Sequence, residues 1–475
     1  MTSAGPRHAL RNVFVLAGAS IAAGATTLVL VQRPGWPREA GLMAGIFVLA
    51  ALLWVTEALP LFATALLVIG LEMILLANPG GWPGLGFSSG KSPNVAEVLH
   101  SAADPVLLLF FGGFLLARAA VKEGVDRALS SLLLAPFKGR PRWILLGVMA
   151  VTALFSMWMS NTATTAMMIT LVVPMAAQLP PKEPFRRALV LAVPIAANLG
   201  GMGTPIASPP NAVAAGFLRA AGRPIGFLEW MLVAVPLMVA LLVLMWLALW
   251  WLFRPRSAAL RLELPQEPLT PRGWYVVSVF AATVLLWLTE TWHGLPAPVV
   301  ALLPAVAFTA TRLLDRTDVN GIEWNVLILI AGGIALGAGM QRTGLDKMLI
   351  GQLPGTGPWL LAALVIATLL LSTFMSNTAA ANLLLPIGIS AAAASGEASA
   401  TGHMAMSIAL SASAAMALPV STPPNAIAFA SGEISTRDMA LTGAIVGGIA
   451  AAAILALGEP VMRLWGFAAP ELANP

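Results

Sequence analysis

The sequence predicts an all-α polytopic membrane protein, and three observations lead there. Of its 475 residues 58% are hydrophobic and 10% charged, whereas a soluble chain carries about a quarter of its residues charged. Apolar stretches of about 20 residues, the length that crosses a hydrocarbon core of about 30 Å, follow one another almost end to end. The tetrapeptide Ser-Asn-Thr-Ala stands twice inside such stretches, at 160–163 and 376–379, where polar groups are costly unless they bind something. No stretch is left for a sizeable soluble domain, so the chain reads as one membrane domain. The absence of cysteine excludes disulfides and thiolate metal sites. The net charge of +5 comes from Lys and Arg in short loops between apolar spans, which is a topology signal and not a nucleic-acid surface.

The first span, about 13 to 31, has a basic start but outruns a signal-peptide core and reads as a retained helix within an N-terminal segment 1–40. Spans at 41–57, 60–77 and 104–122 follow as scaffold helices. A Gly-, Pro- and Ser-rich stretch at 78–103 lies among them as an extracellular loop. An amphipathic arm, 124–138, opens on Gly124-Val125-Asp126-Arg127. The block 143–178 is too long for one straight crossing at about 1.5 Å per residue. Lys138, Arg140 and Arg142 precede it and Lys182, Arg186 and Arg187 follow it, so both ends face one basic side, as a re-entrant hairpin would. The segments 186–200 and 210–220 form one helix broken at Ser208-Pro209-Pro210-Asn211. The helix 228–253 ends in an interfacial belt of Trp246, Trp250 and Trp251 before Arg254, and 254–271 is a basic linker. The second half reads likewise: helices 272–290, 296–314 and 323–341, an arm 344–354, a hairpin 357–395, a helix 404–432 broken at Thr422-Pro423-Pro424-Asn425, and a helix 438–465.

The count is about 11 transmembrane helices plus two re-entrant hairpins, with the chain ends on opposite sides. Of the 26 Lys and Arg, eight (Arg33, Arg38, Lys91, Arg219, Arg223, Arg342, Lys347, Arg463) fall on one side and the other eighteen on the side of the N-terminus. The positive-inside tendency then places the N-terminus in the cytoplasm of a multi-pass protein of the inner or plasma membrane.

Landmarks recur in order across the halves. Trp54-x-Thr56-Glu57 matches Trp287-x-Thr289-Glu290, Gly112-Gly113 matches Gly332-Gly333, Asn161 matches Asn377, and Asn211 matches Asn425. Their offsets are 233, 220, 216 and 214, a slow shrinkage that a duplicated unit with loop deletions produces. The repeats are 41–253 and 272–465. Five crossings in each unit make the topology inverted, and inverted repeats around a midplane site belong to secondary transporters.

Hairpins that turn inside the bilayer expose backbone amides and carbonyls only where these line a polar cavity. Helices starting near Thr162 and Thr378 would aim their positive ends at an anion, and Ser and Thr hydroxyls donate to it. The same oxygens suit a hard monovalent cation. Ser156 stands four residues before Ser160 and Ser372 four before Ser376, which places two hydroxyls on one helix face. Carbonyls freed before Pro209 and Pro423 add ligands. Neither hairpin holds a Lys or Arg between its flanks, so a buried anion needs another source of positive charge. Co-bound sodium supplies it.

With Met159-Ser160-Asn161-Thr162-Ala163, Met375-Ser376-Asn377-Thr378-Ala379, both Pro-Pro-Asn breaks and Trp54-Val55-Thr56-Glu57-Ala58-Leu59-Pro60, the chain resembles the divalent-anion/sodium symporter family over nearly its whole length. The resemblance implies a homodimer with an elevator-like transport domain, carrying dicarboxylates, tricarboxylates or sulfate together with two or more sodium ions. By position it implies substrate binding by Ser160, Asn161, Thr162, Ser376, Asn377, Thr378, Thr422 and Pro423. It implies one sodium among Ser156, Ser160, Asn161 and the backbone at Ala207, and another among Ser372, Ser376, Asn377 and the backbone at Ser421. Ser421 departs from the Gly or Ala often found there, and its hydroxyl adds a contact that a carbonyl ligand does not need.

Glu57 and Glu290 read as capping or snorkelling residues of the scaffold, Glu72 is an intramembrane carboxylate, and the scattered His8, His100, His293 and His403 carry no role. Sodium-coupled symport of a C4-dicarboxylate such as succinate is the expected function. Sodium-independent exchange, sulfate or tricarboxylate transport on the same fold, and an anion channel stand as alternatives. An enzyme is excluded by the lack of paired aspartates, of a Ser with a His partner, or of a metal triad within the spans.

Overall fold

The computed structural model describes residues 6–137, 139–256, 268–352, 358–394 and 398–464, and its regular elements are all helical. Most of the expected linker 254–271 lies outside the described residues, as do position 138 of the first arm, 353 and 354 of the second, both end residues of the block 357–395, and position 465.

The first half contains α1 (Pro6–Val31), α2 (Arg38–Thr56), α3 (Leu61–Leu71, prolonged by a π turn over Glu72–Leu76), α4 (Val95–Ala102), α5 (Val106–Lys122), α6 (Val125–Leu134), α7 (Pro141–Ser156), α8 (Asn161–Ala177), α9 (Pro184–Gly200), α10 (Pro209–Ala220) and α11 (Phe227–Leu252). The second contains α12 (Pro271–Leu288), α13 (Glu290–His293), α14 (Ala297–Val300), α15 (Leu302–Ala310), α16 (Arg316–Asn320), α17 (Trp324–Thr343), α18 (Leu345–Ile350), α19 (Pro358–Phe374), α20 (Asn377–Ala394), α21 (Ala398–Ala414), α22 (Pro423–Ala430) and α23 (Thr436–Leu464). Eight segments among the described residues are long and apolar enough to cross a membrane, and the protein is a multi-pass membrane protein. This is fewer than the sequence pattern counts; the expected span 296–314 is split at Ala301, and each of the segments with a Pro-Pro-Asn break is divided into two helices.

Each interruption has a local cause. The Trp of each Trp-x-Thr-Glu segment ties down the turn that follows it: Trp54 Nε1 donates to Leu61 O at 3.1 Å and Trp287 Nε1 to Ala297 O at 3.0 Å. The threonine closes the helix end, Thr56 on Leu52 O and Thr289 on Leu285 O. Glu57 ends α2 in the left-handed region, and Pro60 restarts the chain as α3. The expected loop 78–103 hides α4, whose start is capped by Asn94, the amide of Glu97 reaching its side-chain oxygen at 2.8 Å. That cap was present in the sequence as Asn-x-x-Glu and was outweighed by the surrounding Gly and Pro.

The halves interlock instead of packing side by side. Helix α3 of the first half packs on α17 of the second, while α14 and α15 of the second pack on α5 of the first. Both contacts are made possible by the matched Gly-Gly pairs: a side chain at Gly112 would enter the carbonyl of Ala301, and one at Gly332 would enter Ala65. The helices behind the breaks are exchanged too, α10 packing on α20 and α21, and α22 on α8 and α9.

Candidate functional site

The interlocking encloses a cavity of about 790 Å³ lined by both Ser-Asn-Thr triplets and both Pro-Pro breaks. Helices α8 and α20 begin at Asn161 and Asn377, and α10 and α22 begin at Pro209 and Pro423, so four helix N-termini converge on one space. Each turns the positive end of its helix dipole toward this space, although α10 and α22, which open on Pro-Pro, bring no free amide in their first turn. Pro at the first helical positions of α10 and α22 costs these helices no bond, because those amides would be unpaired in any case. Among the described residues the lining includes no Lys, Arg or His, and its only carboxylates are Glu57 and Glu323.

The breaks are held open by asparagine. Asn211 Nδ2 donates to Gly201 O and Thr204 O, both at 2.8 Å. Asn425 Nδ2 donates to Met416 O at 2.8 Å and Leu418 O at 2.9 Å. Carbonyls that a continuous helix would use are thus satisfied inside the protein. Each break is also tied to the hairpin of its own half: Thr204 Oγ1 donates to Met157 O at 2.5 Å and Ser421 Oγ to Thr373 O at 2.7 Å. The Ser421 hydroxyl, the departure from Gly or Ala in the sequence, therefore bonds the hairpin, and Ser421 itself is among the residues lining the cavity.

Ser160, Asn161, Thr162, Ser376, Asn377, Thr378, Thr422, Pro423, Ala207 and Ser421 all line this cavity. Ser156 and Ser372 are not in the lining; both are fully buried behind it. The Ser156 hydroxyl lies 2.6 Å from Asn161 Oδ1 and 2.7 Å from Ala197 O. Its one proton serves one of these acceptors, so a cluster of three oxygens is left one donor short. In the second half, Ser372 Oγ and Asn377 Oδ1 are buried without a hydrogen-bond partner. Oxygens crowded without enough protons are what a small hard cation satisfies.

Thr422 is poised differently. Its Oγ1 accepts from Asn198 Nδ2 at 3.1 Å and from the amide of Asn425 at 3.3 Å. Both lone pairs are engaged, which leaves the hydroxyl proton to donate, and that suits an anion.

The sequence reading missed Asn198, Asn325 and Glu323 in the lining. Asn198 was visible as an amide inside an apolar helix, but position 412, where the repeat offset would place its partner, is Ala. Glu57, read as a scaffold cap, lines the cavity, whereas its counterpart Glu290 does not.

The profile of the citrate transporter family matches residues 51–402 and 284–469. A sodium-dependent dicarboxylate transporter of Staphylococcus saprophyticus is 31% identical over 448 residues, 84% of this chain and 82% of the relative. An inorganic phosphate transporter of Saccharomyces cerevisiae is 31% identical over 350 residues, 71% of this chain and 37% of the relative. The chain spans about half or less of the fungal relatives it matches. The crystal structure of the YdaH transporter of Alcanivorax borkumensis shares the fold, with a TM-score of 0.55 at 14% identity over 88% of this chain and 99% of that one. On the profile match and the identity over most of its length, the chain belongs to the citrate transporter family, a family of membrane transporters and not of enzymes.

Proposed function

We propose that the chain is a sodium-coupled symporter of a divalent organic anion of the C4-dicarboxylate class. The carrying observation is that both Ser-Asn-Thr triplets and four helix N-termini meet on one cavity whose lining, among the described residues, holds no basic side chain. Helix ends and hydroxyl donors favour a doubly charged solute there, but helix ends contribute only about 0.3 to 2 kcal/mol each. Burying an anion costs several kcal/mol. Sodium bound among Ser156, Ser160, Asn161 and the Ala207 backbone, and among Ser372, Ser376, Asn377 and the Ser421 backbone, offsets the remainder. The proton-poor oxygen cluster at Ser156 and the unpartnered Ser372 and Asn377 oxygens support this assignment. Substrate carboxylates then engage Ser160, Asn161, Thr162, Ser376, Asn377, Thr378 and Thr422, with Pro423 packing beside them. The relative named as a sodium-dependent dicarboxylate transporter supports the same substrate and ion.

In this reading the halves are inverted repeats, 41–253 and 272–465, joined by the linker 254–271. Hairpins and broken helices (143–178, 186–220, 357–395 and 404–432) move as a transport body in an elevator-like manner. The scaffold helices 41–122 and 272–341 hold a homodimer, with the N-terminus cytoplasmic in the plasma or bacterial inner membrane. The test is uptake of radiolabelled succinate into vesicles carrying the purified protein, with phosphate, citrate and sulfate as competitors. Uptake that rises cooperatively with outside sodium and is blocked by excess succinate supports symport. Counterflow that is equal without sodium supports an exchanger, and phosphate as the one effective competitor moves the substrate to the class in the yeast relative's name.

A further inference from the structure

The two breaks that meet on the cavity carry the same Pro-Pro-Asn motif and differ in what orients their hydroxyls. In the second half the constraints form a closed chain. The carbonyls of Met416 and Leu418 can only accept, so Asn425 turns its Nδ2 toward them, at 2.8 and 2.9 Å. Asn425 Oδ1 then points the other way and lies 3.4 Å from Asn198 on α9, where an acceptor obliges Asn198 to present its own Nδ2. That amide nitrogen also reaches Thr422 Oγ1 at 3.1 Å, with Met416 Sδ 4.0 Å away. Because the backbone amide of Asn425 donates to Thr422 Oγ1 as well, the Thr422 proton is left to point elsewhere, and Thr422 lines the cavity.

In the first half the same chain is cut. Asn211 Nδ2 holds Gly201 O and Thr204 O, but Asn211 Oδ1 is buried without a hydrogen-bond partner among the described residues. Position 412, which stands to this break as Asn198 stands to the other, is Ala. Ser208 makes no side-chain cap on its helix; its hydroxyl meets that of Ser413 at 3.4 Å, and either oxygen can be the donor. Ser208 also lines the cavity and can turn either a proton or a lone pair toward it.

We propose that Asn198 is a positioning residue that makes Thr422 a dedicated donor and so gives the cavity a polarity, with an ionised carboxylate at the Thr422 end and a group that either accepts or donates at the Ser208 end. The proposal rests on the anion-binding reading above and deepens it. A carboxylate brings only acceptors and fits Thr422, whereas an amide or hydroxyl is matched by one of the two arrangements of the Ser208 and Ser413 pair. The substrate class then extends to monocarboxylates with a polar group at the far end. These bind more weakly than dianions, because they forgo one charge at the helix ends.

The test is competition against radiolabelled succinate on the purified protein at saturating sodium, using succinate, its monoamide succinamate and its uncharged diamide succinamide. Wild-type protein is expected to bind succinamate, more weakly than succinate, at concentrations where succinamide does not compete. Asn198→Ala and Thr422→Val should each weaken succinate and succinamate alike, by about tenfold or more. The double variant should lose no more than about twofold beyond the larger single loss, since Asn198 acts through the hydroxyl that Thr422→Val removes. Thr422→Ser, which keeps that hydroxyl, should recover most of what Thr422→Val loses. Succinamate that competes no better than succinamide, or that is spared by either single variant because its carboxylate settles at the other end, overturns the polarity. Losses that multiply in the double variant overturn the role of Asn198. If succinate itself does not bind the wild type, the anion-site reading fails and this proposal with it. Thermal unfolding without ligand checks the fold of each variant, and if Asn198→Ala gives no folded protein, Asn198→Ser, too short to span Thr422 and Asn425, takes its place.

Discussion

In the proposed mechanism, single side chains set places for anions and places for cations by how many protons they bring. Thr422 has both lone pairs taken and a proton left over, while Ser156 has two acceptors and one proton. From this follows that Ser156→Ala and Ser372→Ala chiefly weaken sodium binding. Loss of one ligand to a charged partner is worth about 1.5 to 3 kcal/mol, so the half-saturating sodium concentration should rise about tenfold or more. A sodium titration of succinate uptake reads this, and an unchanged sodium requirement with weakened succinate binding would reverse the roles. Asn161→Ala and Asn377→Ala remove oxygens from both functions and should abolish uptake while the purified protein keeps its oligomeric state on gel filtration. These residues were legible because the triplets repeat. Asn198 and Glu323 were not, because neither has a counterpart that the repeat would expose: position 412 is Ala, and Glu323 sits where a span begins, a place at which a carboxylate is commonly a solvated cap.

At the level of elements, the Pro-Pro-Asn breaks are structural devices before they are functional ones. Asn425 satisfies the carbonyls of Met416 and Leu418, and Asn425→Ala leaves them buried without that donor, at about 1 to 3 kcal/mol for each group left unsatisfied. Asn211→Ala should behave alike, since Asn211 serves Gly201 and Thr204 in the same way. Both variants are expected to lower the midpoint of thermal unfolding, whereas Asn198→Ala, which frees Thr422 without uncapping the break, should lower anion affinity with a smaller loss of stability. The breaks could be read from Pro and Asn alone. The exchange of α10 and α22 between halves could not, because proline ends a helix without saying which neighbour its continuation will pack on. The short helix α4 was lost for a related reason: one Asn cap competes poorly with the Gly and Pro around it when no partner helix is in view, and its packing against α17 is a tertiary fact.

Across the whole molecule the stiff part is the interlock of halves, and two features test it. The glycines at 112 and 332 admit Ala301 and Ala65, so Gly332→Ala forces the α3 and α17 backbones apart. Overpacking of this kind costs about 1 to 3 kcal/mol, to be seen as a lower unfolding midpoint. The halves are also joined at the end of the α5 span, where Asp318 of α16 meets Arg118 at 3.0 Å and Lys122 at 2.5 Å on α5. Burial alone would raise the Asp318 carboxyl, but the hydrogen bonds from Lys122, the Asp315 backbone and Arg118 hold it down at about 2, against an ordinary 3.8. A depressed carboxylate stabilises the fold above its unfolded-state value and loses that contribution as pH falls through the folded value. The contribution should therefore be intact at neutral pH and fade between 3.8 and about 2. Asp318→Asn should remove that part of the acid dependence, measured as the unfolding midpoint against pH. The Gly-Gly pairs marked the interlock in the sequence only as a repeat; that they let each half enter the other depends on residues some 190 to 270 positions away.

In the proposed mechanism a divalent anion and sodium share one cavity and stabilise each other there, which makes the binding of each depend on the other. The direct measurement is the thermal unfolding midpoint of the purified protein with succinate alone, with sodium alone and with both, at fixed ionic strength. Succinate should raise the midpoint only when sodium is present, and Asn377→Ala should lose this joint effect. An equal rise with succinate in sodium-free buffer would contradict it.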